Sequence, residues 1–166
     1  MANTFFLLKQ ETLASAQAAV EFTDIPQTYT DLVAIVSARS DQSGINRSFR
    51  VSTNGNNPVG AMTLGDENAS LYTGSGYNTC YLAGSDTNGN LFSATEFNVY
   101  DYTNSTGSKN IHFRTANPNP STTAYGTAYT SAYYSSSTPI TSMKFTITLG
   151  NFVAGSSFYL YGIKNT

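Results

Sequence analysis

From residue 141 to residue 150 apolar and polar side chains take turns. Met143, Phe145, Ile147 and Leu149 fall on one side of an extended chain, and Lys144, Thr146 and Thr148 fall on the other. Successive side chains of a β-strand point to opposite faces of its sheet. The pattern therefore predicts a strand whose four apolar residues are buried together. Residues 31–39 read differently: Leu32, Val33, Ala34, Ile35 and Val36 are apolar on both faces, as in a central or interface strand. Further strand candidates cover residues 5–11, 19–23, 48–53, 70–73, 96–102, 110–115 and 158–163.

Turn chemistry separates these segments. Asn54-Gly55 and Asn88-Gly89 are tight-turn dipeptides, because both residue types accept positive φ at low cost. Ile25-Pro26, Asn57-Pro58 and the Asn117-Pro118-Asn119-Pro120 run remove amide donors and break strands. Residues 41–46 and 54–68 read as irregular. Leu13, Ala16, Gln17 and Val20 keep a helical spacing after Thr12, but Ser15 stands where a capping box wants Glu or Gln, so a short helix there is the less favoured reading. With no repeat of solenoid or propeller length, about nine or ten short strands in 166 residues predict one domain spanning residues 1–166. Its expected fold is all-β, a two-sheet antiparallel sandwich with jelly-roll topology as the preferred wiring.

Composition agrees. Charged residues make up only 11% of the chain, against roughly 25% in an average soluble domain, and Asn, Ser and Thr take their places. Apolar residues reach 40% and aromatic residues 13%, enough to build a core and rich in sheet-forming types. The net charge is −2, and of the eight basic residues only Arg47 and Arg50 stand close together. Phosphate neutralisation needs a basic stripe, so nucleic acid is not an expected partner. Phe5 to Leu8 is the longest apolar run near the N-terminus, too short for a signal peptide or membrane span, so the expectation is a soluble protein made in a cytoplasm, without a membrane partner. Cys80 is the single cysteine and cannot form an intrachain disulfide.

Catalytic constellations are sparse. His112 is the only histidine and alternates onto the more polar face of its strand, and no Gly-x-Ser-x-Gly elbow is present. Glu11, Glu21, Asp24, Asp31, Asp66, Glu67 and Glu96 have no spacing that pairs two carboxylates for glycoside hydrolysis. Asp86-Thr87-Asn88-Gly89-Asn90 begins like a calcium loop but places Leu91 where that loop needs Gly and Phe97 where it needs Glu. The chain is therefore expected to be no enzyme, with no catalytic residue, no metal site and no cofactor.

Contact chemistry is better represented. Tyr125, Tyr129 and Tyr133 recur every fourth residue among Ser, Thr, Ala and Gly, so on a strand they share one face. Rigid aromatic area beside small polar groups is the make-up of adaptable contact surfaces. These three tyrosines, with Phe5 and Phe6 near the N-terminus, are the candidate interface residues; the other reading of the tyrosines is that their rings close one end of the sandwich.

The segment Ala19-Val20-Glu21-Phe22-Thr23-Asp24-Ile25-Pro26-Gln27-Thr28-Tyr29-Thr30-Asp31-Leu32 and the segment Gly155-Ser156-Ser157-Phe158-Tyr159-Leu160-Tyr161-Gly162-Ile163-Lys164 resemble small jelly-roll virion proteins of tailed bacteriophages. These are the capsid cement or head-decoration proteins and related tail-fibre modules. The resemblance implies a strand, a proline corner and a second strand in the first segment, and a sheet-closing strand in the second. It further implies a virion protein on the particle surface that stabilises the head by bridging capsomers. Its partners would be the major capsid protein and further copies of itself, as a homotrimer. The alternative is a receptor- or glycan-binding domain of a tail fibre or tail tip, in which exposed tyrosines would stack on sugars.

Overall fold

In the computed structural model, residues 4–65, 70–74, 79–87, 91–118 and 127–164 are described. They form strands β1 (Phe5–Thr12), β2 (Ala19–Phe22), β3 (Asp31–Ala38), β4 (Asn46–Thr53), β5 (Val59–Gly65) and β6 (Ser70–Gly74). The second half contributes β7 (Thr79–Ala83), β8 (Ser93–Val99), β9 (Lys109–Ala116), β10 (Thr127–Tyr134), β11 (Met143–Ile147) and β12 (Ser157–Ile163). Every ladder between these described strands is antiparallel, and an isolated bridge between Arg39 and Ala83 is parallel.

The strands build two sheets. One has eight strands in the order β1-β12-β3-β8-β9-β10-β5-β6, and the other has four in the order β2-β11-β4-β7. In sequence, β2, β4, β7 and β11 are each flanked by strands of the larger sheet, so the chain wraps back and forth around one core. Setting aside β1 and β12, and counting the β8–β9–β10 meander as one strand, leaves the two interleaved four-stranded sheets of a jelly roll. The fold class read from the sequence is the one observed.

The alternation read from the sequence decides what each sheet buries. From the small sheet Val20, Phe22, Phe49, Val51, Cys80, Leu82, Met143, Phe145 and Ile147 point inward. From the large sheet come Leu32, Ala34, Val36, Phe97, Val99, Ile111, Phe113, Phe158 and Leu160. Phe49, Phe145, Phe152 and Phe158 join the layers, with the Phe152 and Phe158 ring centroids 5.1 Å apart. At roughly 1.5–3 kcal/mol per fully buried large apolar side chain, this cluster is the main source of stability.

Leu149 corrects the expectation for residues 141–150. β11 ends at Ile147, and Leu149 is 58% exposed. Beyond the strand, the Thr148 amide donates to the Ser48 carbonyl and Gly150 turns the chain at φ 75°. Phe152, fully buried, closes the core where Leu149 was expected to do so. A second correction concerns residues 54–68, which read as irregular yet include β5. The turn before β5 is as expected: Asn54 (φ 48°) and Gly55 (φ 76°) both lie in the left-handed region, and Thr53 and Asn56 exchange two backbone hydrogen bonds of 2.9 Å. These are the marks of a type I′ hairpin turn. Asn88-Gly89 lies outside the described residues. Residues 13–18 form no helix; Leu13 is buried and its amide donates to the Ser156 carbonyl.

Two buried polar side chains tie loops to the sandwich. The Lys109 ammonium donates to the carbonyls of Gly107, Ser136 and Thr138 at 3.2, 2.8 and 2.9 Å. Its burial holds its pKa below the ordinary lysine value. The Tyr102 hydroxyl donates to the Pro26 carbonyl, fastening the proline corner between β2 and β3 to the segment after β8.

Candidate interaction face

The inner face of the large sheet is spent on the core, so the contact chemistry lies on its outer face. Strand register arranges that face in rows running across the sheet. One row reads Leu7, Tyr161, Val33, Asn98, His112, Ser131 from β1 to β10. The next reads Gln10, Tyr159, Ile35, Glu96, Arg114, Tyr129. A third reads Thr12, Ser157, Ser37, Ala94, Ala116, Thr127. Beyond the first row lie Phe5 paired with Ile163, and Tyr133 paired with Asn110.

Two apolar zones flank a polar midline. Toward β1, Phe5 (57% exposed), Leu7 and Ile35 face solvent, and Phe5 meets the Tyr161 ring edge-on at 6.5 Å. Toward β10, Tyr100, Tyr129 (47% exposed) and Tyr133 do the same. The His112 ring lies 5.4 Å from that of Tyr100 and 6.0 Å from that of Tyr129, whose hydroxyl is 3.3 Å from His112 Nδ1. Between the zones, Arg114 donates to Glu96 at 2.7 Å, and Asn98 donates to the other Glu96 oxygen at 3.0 Å. The bond from the Asn98 side chain, then that from Arg114, holds the Glu96 carboxyl below the usual carboxylate range. Aromatic residues and Arg are enriched at protein contacts while Glu is depleted, so the exposed tyrosines rather than the charge pair make this face a candidate contact surface.

The sequence-derived interface residues divide as follows. Phe5, Tyr129 and Tyr133 are brought onto this one face. Phe6 points to the opposite side of β1, where its ring packs 5.4 Å from that of Tyr29. Tyr125 lies outside the described residues. His112 sits on the outer, more polar face as its alternation indicated. Leu7, Ile35, Tyr100, Tyr159, Tyr161, Glu96 and Arg114 complete the face and were not singled out as contact residues. The apolar outward side of residues 31–39 was the one sequence signal for them.

A cleft of about 600 Å³ lies at one end of the sandwich, lined by Arg39, Ser40, Asp41, Ser85, Phe92, Val153 and Ala154. Its charged groups serve the fold. Arg39 donates to the carbonyls of Ser85 and Thr87 at 2.8 and 3.3 Å. Asp41 accepts from the Asn151 amide and side chain at 2.7 and 2.9 Å, bonds that hold its pKa below the usual carboxylate range. A Cβ on Gly150 would come within 2.4 Å of Asp41 Oδ1, so this clamp depends on glycine there. Among the described residues no group of three or more His, Cys, Asp and Glu side chains is placed to hold a metal ion.

The sequence matches no protein-family model and no curated protein.

Proposed function

We propose that this chain is a non-enzymatic structural subunit of a bacteriophage particle. It acts as a cement protein that reinforces the head by bridging neighbouring capsid subunits, and it makes protein–protein contacts through the outer face of its large sheet. The observation that carries this reading is the exposure of Phe5, Leu7, Ile35, Tyr100, Tyr129 and Tyr133 on one face of a sheet whose other face already fills the core. The viral setting is supported by the resemblance of residues 19–32 and 155–164 to jelly-roll virion proteins. The mechanism is mechanical: weak contacts repeated around the particle combine through effective concentration.

The test is to mix purified protein with undecorated heads of the encoding phage and, separately, with host cells, then measure what remains in solution. Depletion by heads is the expected result. Depletion by cells but not heads overturns it in favour of the receptor- or glycan-binding reading.

A further inference from the structure

The outer face of the large sheet is complementary to itself. The sheet has four strands on either side of the line between β8 and β9, and Glu96 and Arg114 face each other across that line. A two-fold axis running along the strands at the midline, with two copies stacked face to face, sets β8 over β9 of the partner and β3 over its β10. Because the rows are fixed by hydrogen-bond register, each row then lies over itself reversed. Glu96 lies over Arg114 and Arg114 over Glu96. In the same row Ile35 lies over Tyr129, and in the next Asn98 lies over His112. In the third row Ala94 lies over Ala116. Acid meets base, aliphatic meets aromatic, amide meets imidazole, and small meets small.

We propose that this chain forms a two-fold dimer through the outer face of its eight-stranded sheet, with Glu96 and Arg114 pairing reciprocally at the axis. The proposal rests on the reading of that face as a protein-contact surface and names its occupant, a second copy. Eight strands at about 4.8 Å by seven residues at about 3.4 Å give a footprint of roughly 900 Å² per copy. A stable interface buries about 800 Å² per partner, so the face is large enough. Packed sheets cross at about 30°, so residues near the axis stay opposed while those at the flanks drift. The contacts that decide specificity are therefore Glu96–Arg114, Ile35–Tyr129 and Asn98–His112. A three-fold arrangement would need two different surfaces on each copy, whereas the register describes one surface that fits itself. Face-to-face pairing also leaves the four-stranded sheet of each copy on the outside of the dimer.

Sedimentation velocity of the purified protein at micromolar concentration tests this directly. The expected mass is twice that of the 17.8 kDa chain, and a monomer or trimer overturns the proposal. Glu96→Arg gathers four positive charges at the axis and Arg114→Glu gathers four negative ones. Each single swap should weaken the dimer about a hundredfold or more, and the double swap should restore it. A single swap that leaves the dimer intact, or a double swap that does not restore it, overturns the proposed axis. Should a swapped chain fail to fold, Ile35→Lys at an exposed position reports on the same contact and should also yield monomers. Head binding is scored separately: a dimer that ignores heads overturns the cement reading alone, and a monomer that binds them overturns the dimer alone.

Discussion

Phe145 of β11 and Phe158 of β12 belong to different sheets, yet their ring centroids lie 5.4 Å apart in the middle of the core. Phe145 also touches the rings of Phe22 and Phe49 at 6.0 and 6.4 Å. Phe145→Ala removes the ring around which three others pack. It should destabilise the domain by about 3–5 kcal/mol, read as a lowered urea midpoint. An unchanged midpoint would mean that β11 does not face the core.

Lys109 is almost wholly inaccessible and serves as a three-way clip for backbone carbonyls. Lys109→Met keeps the length and apolar stem but leaves those carbonyls of Gly107, Ser136 and Thr138 without this donor. At about 1–3 kcal/mol for a buried group left unpaired, a loss of about 3 kcal/mol is expected in chemical denaturation.

The Asp41 clamp predicts a pH dependence with a definite sign. Asn151 lowers the folded-state pKa of Asp41, so the native chain binds fewer protons than the unfolded one in the acid range. Its contribution is present above the unfolded value, about pH 4. It is lost as pH falls through the depressed folded value. Asp41→Asn should therefore be less stable than the parent at neutral pH, and the gap should shrink below pH ~4. Thermal melts of the two proteins across that range check this.

Cys80 is fully buried in β7, and burial pushes its thiol well above the ordinary cysteine range. Only the thiolate reacts appreciably. A disulfide-exchange reagent at neutral pH should leave the native protein unmodified and titrate one thiol per chain once urea unfolds it.

How much of this could be read in the sequence depended on contrast. β9 and β11 carry large apolar residues at alternate positions, and β3 and β12 are dense runs of β-branched and aromatic residues, so each was recognisable. β5 reads Val-Gly-Ala-Met-Thr-Leu-Gly, with two glycines and little difference between its faces, and β7 reads Thr-Cys-Tyr-Leu-Ala, with no charged residue to mark an outward face. Neither offered a period to detect. The contact face divides in the same way. Tyr129 and Tyr133 were legible because they lie four residues apart on one strand. Ile35, Glu96, Arg114 and Tyr129 become a row only through the order β3-β8-β9-β10, and the lateral neighbours of a strand leave no local trace. Leu149 failed for a related reason: alternation continued in the sequence past Ile147, where the strand ends and the chain leaves the sheet toward the turn at Gly150.

The position of β12 has a consequence for how the protein is made. β12 lies between β1 and β3 and is the sole partner of β1 among the described residues, and Thr12 bonds to Ser157, 145 residues further along the chain. During synthesis β1 and β3 are made well before β12, so β1 and one edge of β3 stay unpaired until it emerges. Closing the large sheet is thus a late event, and pairings this distant form slowly. The interval exposes a β edge to neighbouring nascent chains. Deleting β12 alone would detach β1, open the sheet beside β3 and take Phe158 from the core, turning the loss of seven residues into failure of the whole fold.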